Sequence, residues 1–295
     1  MNILVTGHRG YIGSALVELL CGTSLVKNVV GYDSLDGNDI LDYDNLIKFM
    51  NNIDIVIHLA ALSTVSGCND NPDLAEKTNG QGTQNVVDAM KVCGCKNIIY
   101  ASTSSIYGNS EILPYTEDMT PSPCSSYGKS KLLGEEIIKA FEGNYIIFRM
   151  FNVVGNIKNL NMVSKAGYDR LFGALQSGTV TVYGKDYSTI DGTCERDYVS
   201  LMDTCQAYIL GIEAICKGLR ATINICSGSL ISVDAIIFMW NNISKDKILH
   251  SYGGRRLGDP TRVYGSNKWA KEIIQWSPKN IMQDIISDLI NFKKL

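Results

Sequence analysis

The first thirty-three residues carry the pattern that most constrains the fold. Residues 1–6 form an apolar run without helical periodicity, which is typical of a buried strand in a parallel sheet. Gly7, Gly10 and Gly13 follow at once, in the spacing G-x-x-G-x-x-G. A helical segment and a second apolar run come next, and that run ends in Asp33. This order of strand, glycine turn, helix, strand and acid is typical of a dinucleotide site on a parallel α/β sheet.

Asp33 also predicts the kind of dinucleotide. A carboxylate at this position accepts hydrogen bonds from a ribose 2′-hydroxyl and repels a 2′-phosphate, so NAD is expected rather than NADP. Arg9, within the glycine loop, favours the opposite choice because a guanidinium group binds phosphate well. We interpret Arg9 as a solvated side chain.

Tyr127 and Lys131 are four residues apart in a segment that predicts a helix, so both side chains are expected on one face. The pKa of free tyrosine is about 10, and bringing it to about 7 needs roughly 4 kcal/mol of extra phenolate stabilisation. A neighbouring ammonium group can supply that stabilisation. The pair therefore predicts a tyrosine that acts as a base near neutral pH.

Strand and helix patterns alternate through the first half of the chain. Further strands are predicted at 54–58, 97–101 and 145–149, and helices at 73–92 and 126–141. The helix over 73–92 is expected to be broken at Gly80 and Gly82. This alternation predicts the α/β class, with a Rossmann-type doubly wound parallel sheet that binds ligands at the carboxyl ends of its strands.

The pattern weakens after Arg149. A loop is predicted over 156–161, followed by strands at 180–183 and 221–226 and helices at 201–214, 233–243 and 282–292. We predict an NAD-binding Rossmann domain over 1–151, to which part of 197–226 returns. A smaller α/β substrate domain is expected over 152–295 and would close on a second ligand.

Composition excludes several classes of function. The chain has 27 Lys+Arg against 30 Asp+Glu and a formal net charge of −3, so no nucleic-acid partner is expected. No apolar run reaches the length of a membrane span. The three histidines are far apart in sequence, and no metal site is expected. Nine cysteines without a disulfide framework, and a first residue that leads straight into a strand, predict reduced thiols in a cytoplasmic protein.

Taken together, these motifs resemble a known family. The chain is similar to the extended short-chain dehydrogenase/reductases, and within them to the UDP-galactose (UDP-glucose) 4-epimerases, over nearly its whole length. Markers of the superfamily are residues 6–13, Asp33, residues 58–61, Asn79, residues 82–83, residues 102–108 and the Tyr127/Lys131 pair. Markers that are specific to the epimerases are residues 182–198, 151–152 and 255–259.

The resemblance implies an NAD-dependent nucleotide-sugar 4-epimerase that works through a transient 4-keto sugar. Its substrates would be UDP-glucose and UDP-galactose, or their N-acetylamino counterparts. Tyr127 would be the general acid/base at the sugar 4-hydroxyl, Lys131 would lower its pKa and hold the nicotinamide ribose, and Thr103 would bind the reacting oxygen. The family also implies a homodimer, with helices near 80–93 and 126–142 forming a bundle.

The same resemblance assigns the binding residues. Those implied for NAD are Gly7, Gly10, Tyr11, Ile12, Gly13, Asp33, Asp39, Ile40, Leu59, Ala60, Ala61, Asn79, Tyr127, Lys131 and Phe151. Those implied for the UDP-sugar are Ser105, Asn152, Tyr183, Arg196, Arg256 and Asp259. Only five residues separate Asp33 from Asp39, where the epimerases carry a longer segment, so adenine contacts are expected from Asp39 and Ile40. Val263 is near a family position where a large residue narrows the sugar pocket, and it hints at tolerance for an N-acetyl group.

Three other functions stay open. A 4,6-dehydratase would carry an acidic pair where this chain has Ser104 and Ser105. An NADP-dependent reductase or epimerase/reductase would suit the Gly-His-Arg-Gly turn, but Asp33 opposes it. A non-catalytic dinucleotide sensor would not need Thr103, Tyr127 and Lys131 together.

Overall fold

The computed structural model describes residues 1–157, 170–256 and 258–292. Its strands are β1 Asn2–Thr6, β2 Asn28–Tyr32, β3 Ile55–His58, β4 Asn97–Thr103, β5 Asn144–Met150, β6 Asn152–Val154, β7 Thr179–Tyr183, β8 Glu195–Arg196, β9 Tyr198–Ser200, β10 Arg220–Ile225, β11 Ile231–Ser232, β12 Leu249–Gly253 and β13 Arg262–Val263. Its α-helices are α1 Tyr11–Cys21, α2 Tyr43–Met50, α3 Val65–Asp70, α4 Pro72–Glu76, α5 Gly82–Cys93, α6 Ser126–Ala140, α7 Leu171–Ser177, α8 Leu201–Ile215, α9 Val233–Ile243, α10 Lys268–Ile274 and α11 Met282–Phe292. Part of the loop predicted over 156–161 lies outside the described residues.

The main sheet has six parallel strands in the order β10-β5-β4-β3-β1-β2. The strand order reverses between β1 and β3, where Thr6 pairs with His58. Parallel α/β sheets bind ligands at such a switch point, outside the carboxyl ends of the strands. The predicted α/β class, with its Rossmann-type parallel sheet, is confirmed.

Both faces of the sheet are covered by helices, and this explains why its strands are apolar throughout. Ile3 and Val5 face a core formed with α1 and α8, while Leu4 faces a second core formed with α2, α5 and α6. Successive side chains of a strand point to opposite faces, so a strand that is buried on both sides has no polar alternation. The sheet edge that carries the strand ends is thereby held between two packed layers.

The predicted break at Gly80 and Gly82 in the helix over 73–92 is wrong. Between α4 and α5 the chain continues as one π-helical turn, Lys77–Gln81, with helical backbone angles on either side. A Cβ at Gly80 would lie 2.5 Å from a methyl group of Leu133, and one at Gly82 would lie 2.5 Å from a methyl group of Ile40. These glycines therefore allow close packing instead of ending the helix.

The remaining strands form smaller sheets, in the orders β11-β8-β13, β12-β7 and β6-β9. A separate core joins α7, β7, α9 and α11. Strand β10 returns to the edge of the main sheet beside β5. The division into a dinucleotide-binding part and a substrate part remains a prediction. Within the described residues, no helix combines the length and apolarity needed to cross a membrane.

Candidate functional site

One large cavity opens at the carboxyl ends of the main-sheet strands. Of all the residues predicted for catalysis, NAD and substrate, every one except Asn79 lines this cavity. Its volume is about 1560 Å³, whereas a pocket for one small ligand typically has about 300–1,000 Å³. The cavity therefore has room for a dinucleotide and a second ligand.

The glycine loop forms one wall of the cavity. Gly7 has a positive φ of 72°, and a Cβ at Gly13 would lie 2.2 Å from the carbonyl oxygen of Gly7. Gly10 caps α1 without a side chain, and the first turn of α1 holds no acidic residue. The N–H groups and the positive end of this helix are thus open to an anion. This wall fits the pyrophosphate of NAD.

Asp33 lies beside the loop and is held by two main-chain donors. Its Oδ2 accepts the N–H of Arg9 at 2.9 Å and its Oδ1 accepts the N–H of Leu35 at 3.0 Å. An ionised carboxylate has about four acceptor sites, so capacity is left for a ribose hydroxyl. The hydroxyl of Tyr32 donates to the carbonyl oxygen of Asp39 at 2.8 Å, which helps to bring the short segment after Asp33 back to the cavity.

Asn79 does not line the cavity, contrary to the role implied for it in binding NAD. Its side-chain oxygen accepts the N–H of Leu62 at 2.8 Å, and its amide group donates to the carbonyl oxygen of Leu62 at 3.0 Å and to Ser130 Oγ at 2.9 Å. The residue is 1% exposed. Asn79 therefore ties the loop after β3 to α6, and its implied contact with NAD stays a prediction.

Tyr127 and Lys131 lie on one face of α6, as their spacing predicts. Ser125 caps this helix, with its Oγ accepting the N–H of Gly128 at 3.0 Å. The Thr103 side chain, at the end of β4, is close enough to the Tyr127 phenol to act on its pKa. The Lys131 ammonium group is buried and lies 4.2 Å from the centre of the Tyr100 ring, which is a cation–π contact.

The side chains alone do not produce the low phenol pKa that the sequence predicts. Burial raises the pKa of Tyr127, while the Thr103 hydrogen bond and the charge of Arg170 act in the opposite direction. Burial also lowers the pKa of Lys131 to about 7, and the nearby Glu135 carboxylate opposes this shift. Burial is the largest cause of the shift at Tyr127, and tuning of the phenol by Lys131 stays a prediction.

The opposite part of the cavity carries two arginines and an aromatic ring. Arg196 donates to Asp259 Oδ1 at 2.9 Å, and the Arg256 guanidinium lies 4.0 Å from the centre of the Tyr183 ring. Guanidinium groups bind diphosphates in forked pairs, and a flat ring can stack on a nucleobase. Asn152 donates to the main-chain oxygen of Asp197 at 3.0 Å, and Ser105 lies next to Thr103, where the two side-chain oxygens are 3.3 Å apart.

Two further parts of the site were missed in the sequence. Arg170 lines the cavity and its charge reaches Tyr127, but no motif marks this residue. Glu135, two turns after Tyr127 on α6, forms a buried ion pair with Arg149 at 2.8 Å and accepts the Ser102 hydroxyl at 2.7 Å. Its i, i+4 spacing from Lys131 could have found it. The described residues contain no cluster of His, Cys, Asp or Glu that could hold a metal ion.

Comparison with known proteins agrees with this geometry. A model of the NAD dependent epimerase/dehydratase family matches residues 3–226. The chain is 31% identical to a UDP-glucose 4-epimerase of Lacticaseibacillus casei, over 94% of this chain and 92% of the relative. Its fold is similar to that of a UDP-glucose 4-epimerase from Brucella ovis in complex with NAD, with a TM-score of 0.90, 27% identity and coverage of 99% of this chain and 98% of the other.

A second solved structure is similar at the same level. It is a UDP-glucose 4-epimerase from Bifidobacterium longum in complex with NAD⁺ and UDP, with a TM-score of 0.87, 26% identity and coverage of 100% and 98%. The chain thus belongs to the NAD-dependent epimerase/dehydratase family. Within that family, all three of these relatives are UDP-glucose 4-epimerases.

Proposed function

We propose that this protein is an NAD-dependent UDP-sugar 4-epimerase, an isomerase that inverts C4 of the sugar. The observation that carries the proposal is the placement of Thr103, Tyr127 and Lys131 in the same cavity as the glycine loop and the two arginines. A dinucleotide on the glycine loop and a nucleotide diphosphate on the arginines would meet at Tyr127. The resemblance to UDP-glucose 4-epimerases supports the same reaction.

The residues have distinct roles in this proposal. Bound NAD would take hydride from C4 as NAD⁺ and return it as NADH, and the positive ring charge of NAD⁺ would favour the phenolate of Tyr127. Tyr127 takes the proton of the 4-hydroxyl and later returns it, and Thr103 holds the reacting oxygen through its hydroxyl. Proton transfer by a positioned side chain commonly contributes about 10²–10⁴-fold to the rate. Arg196 and Arg256 keep the diphosphate anchored while the 4-keto sugar turns over.

The identity of the sugar is left open between UDP-glucose/UDP-galactose and UDP-N-acetylglucosamine/UDP-N-acetylgalactosamine. Val263 is half-buried beside a small cluster that contains Tyr115 and Phe151, and it is not among the residues that line the cavity, so its small size favours neither pair. The test is ¹H NMR of the products formed from each UDP-sugar with added NAD⁺. The 4-epimer should form without net production of NADH. Net NADH formation, or no product from any of the four sugars, would contradict the proposal.

Two alternatives are weaker. Ser104 and Ser105 cannot supply the extra acid and base that a 4,6-dehydratase needs. In an NADP-dependent reductase the loop arginine would bind the 2′-phosphate, but the Arg9 guanidinium is paired with Asp36.

All nine cysteines are free, which supports a cytoplasmic location.

We also propose a homodimer that pairs the face formed by α5, the π turn and α6. Asp73, Gly80, Leu133 and Ile137 line a shallow depression on this face. In light scattering coupled to size exclusion, the particle mass should be about twice the 32.4 kDa of the chain, and Leu133→Asp should reduce it to one chain. A monomeric wild-type protein would contradict the dimer but not the epimerase reaction.

A further inference from the structure

Arg9 and Asp36 form an ion pair at the adenosine end of the cavity. Nε of Arg9 donates to the two oxygens of Asp36 at 3.0 and 3.1 Å, and Nη2 donates to Oδ1 at 2.6 Å. The hydrogen bond from Arg9 lowers the pKa of Asp36, and the same bond raises the pKa of Arg9. Both groups are therefore charged at neutral pH, and a carboxylate occupies the fork of the guanidinium.

This ion pair lies directly beside Asp33, the acid that is expected to bind the adenosine ribose. The main-chain N–H of Arg9 donates to Asp33 Oδ2 at 2.9 Å, so the two residues are in contact at the backbone. The Arg9 side chain is 54% exposed and rotates freely once it is released. His8 is the other basic group at this point, with its Nε2 3.2 Å from Asp36 Oδ2.

The short segment after Asp33 places Asp36 at this position. Asp33 caps a single 3-10 turn, Ser34–Asp36, and Gly37 then adopts a positive φ of 79°. The N–H of Asn38 returns to the carbonyl oxygen of Asp33 at 3.0 Å. A turn this tight directs the Asp36 carboxylate back to the glycine loop, where Arg9 is the nearest forked donor.

We infer that Asp36 strengthens the preference for NAD over NADP that Asp33 gives, by holding Arg9 in this ion pair. A 2′-phosphate next to Asp33 would meet two carboxylates and a guanidinium whose charge is already matched. Without Asp36, the guanidinium is free to bind the phosphate oxygens in a forked pair. The inference deepens the proposed function, because it concerns the same cofactor site.

The test is isothermal titration of NAD⁺ and NADP⁺ into nucleotide-free wild-type protein and four variants: Asp36→Ala, Asp36→Asn, Arg9→Ala and the Arg9→Ala/Asp36→Ala double variant. Asp36→Ala should bind NADP⁺ about tenfold more tightly than wild type, a gain of about 1.4 kcal/mol, because the freed guanidinium gains a charge-assisted hydrogen bond to the phosphate. Asp36→Asn should give a smaller gain in the same direction. The double variant should lose the gain, and Arg9→Ala alone should bind NADP⁺ as wild type does.

The outcomes separate the possible causes. No gain in NADP⁺ affinity in either Asp36 variant would overturn the inference. An equal gain in the single and double variants would also overturn it, because the gain would then come from lost repulsion instead of from Arg9. Glu272→Ala, which removes the acid of an exposed pair on α10, is the matched control and should bind both dinucleotides as wild type does. Wild-type protein that binds neither dinucleotide would contradict the cofactor itself.

Discussion

Tyr127 combines two properties that conflict in the protein alone. It is placed beside Thr103 at the end of β4, yet burial raises its pKa. A base that works at neutral pH needs a further positive charge, and the oxidised nicotinamide ring provides one only when NAD⁺ is bound. The phenol is thus expected to become a base only in the complex, which ties proton transfer to the presence of the hydride acceptor.

Replacement of Tyr127 by Phe tests its role in proton transfer. The variant keeps the ring and loses the hydroxyl, so kcat should fall by at least about 10²–10⁴-fold, the usual contribution of a general base. Binding of NAD⁺ and UDP should change little, because neither the glycine loop nor the arginines are altered. The measurements are steady-state kinetics and calorimetry. A variant that turns over substrate at the wild-type rate would exclude Tyr127 as the base.

Lys131 makes the stability of the nucleotide-free protein depend on pH. Its folded pKa is about 7, and that of an unfolded lysine is about 10.4. Between these values the unfolded chain binds more protons, so the contribution of Lys131 to the free energy of unfolding rises with pH. In Lys131→Met this rise, up to about 1.4 kcal/mol per pH unit, should disappear.

Urea unfolding of both proteins at pH 7, 8 and 9 measures this difference. Other titrating groups are common to the two proteins, so only the difference between the two curves is attributed to Lys131. Curves that stay parallel across this range would show that Lys131 keeps its ordinary pKa.

At the scale of one element, α6 joins the catalytic side chains to the core. Tyr127, Lys131 and Glu135 follow one another at four-residue spacing along one face. Glu135 is fully buried, where it binds Arg149 and the Ser102 hydroxyl. Ser102 precedes Thr103 on β4, so the strand end that binds Glu135 also carries the Thr103 side chain. The network therefore fixes α6 against β4 and β5.

Glu135→Gln should strongly destabilise the protein. The change leaves the buried Arg149 without its counter-charge, and breaking such a pair costs about 3–5 kcal/mol. Glu136→Gln, at the exposed neighbouring position, is the matched control and should change stability by less than about 0.5 kcal/mol. Equilibrium urea unfolding compares the two. Equal midpoints would show that the pair contributes no net stability.

The sequence predicts those parts of the site whose residues are close together in the chain, and it does not predict contacts between distant segments. The glycine loop, Asp33 and the Tyr127/Lys131 spacing are local patterns with known geometry, so the sequence placed all of them in the cavity. The Arg149–Glu135 and Arg9–Asp36 pairs join segments that only the tertiary fold brings together. The NAD contact implied for Asn79 stays a prediction, because a buried asparagine that bonds the main chain has the same sequence appearance as one that contacts a ligand.

At the scale of the whole molecule, the alternating strands and helices predict the parallel sheet, and β10 forms one of its edges. Periodicity did not predict how the second half closes over the first. Apart from β10, the strands there have only two to five residues and pair in short, separate sheets, which leaves little repeating pattern to recognise. The cavity that runs from the glycine loop to Arg196 and Arg256 forms only when these elements pack together.

The central claim is that hydride leaves C4 and returns to the same carbon while Tyr127 moves only the hydroxyl proton. The most direct test uses the UDP-sugar that the protein turns over, labelled with deuterium at C4, in ordinary water. The ¹H NMR spectrum of the 4-epimer should show the deuterium fully retained at C4. Protium at C4 of the product would show exchange with solvent and would contradict the account.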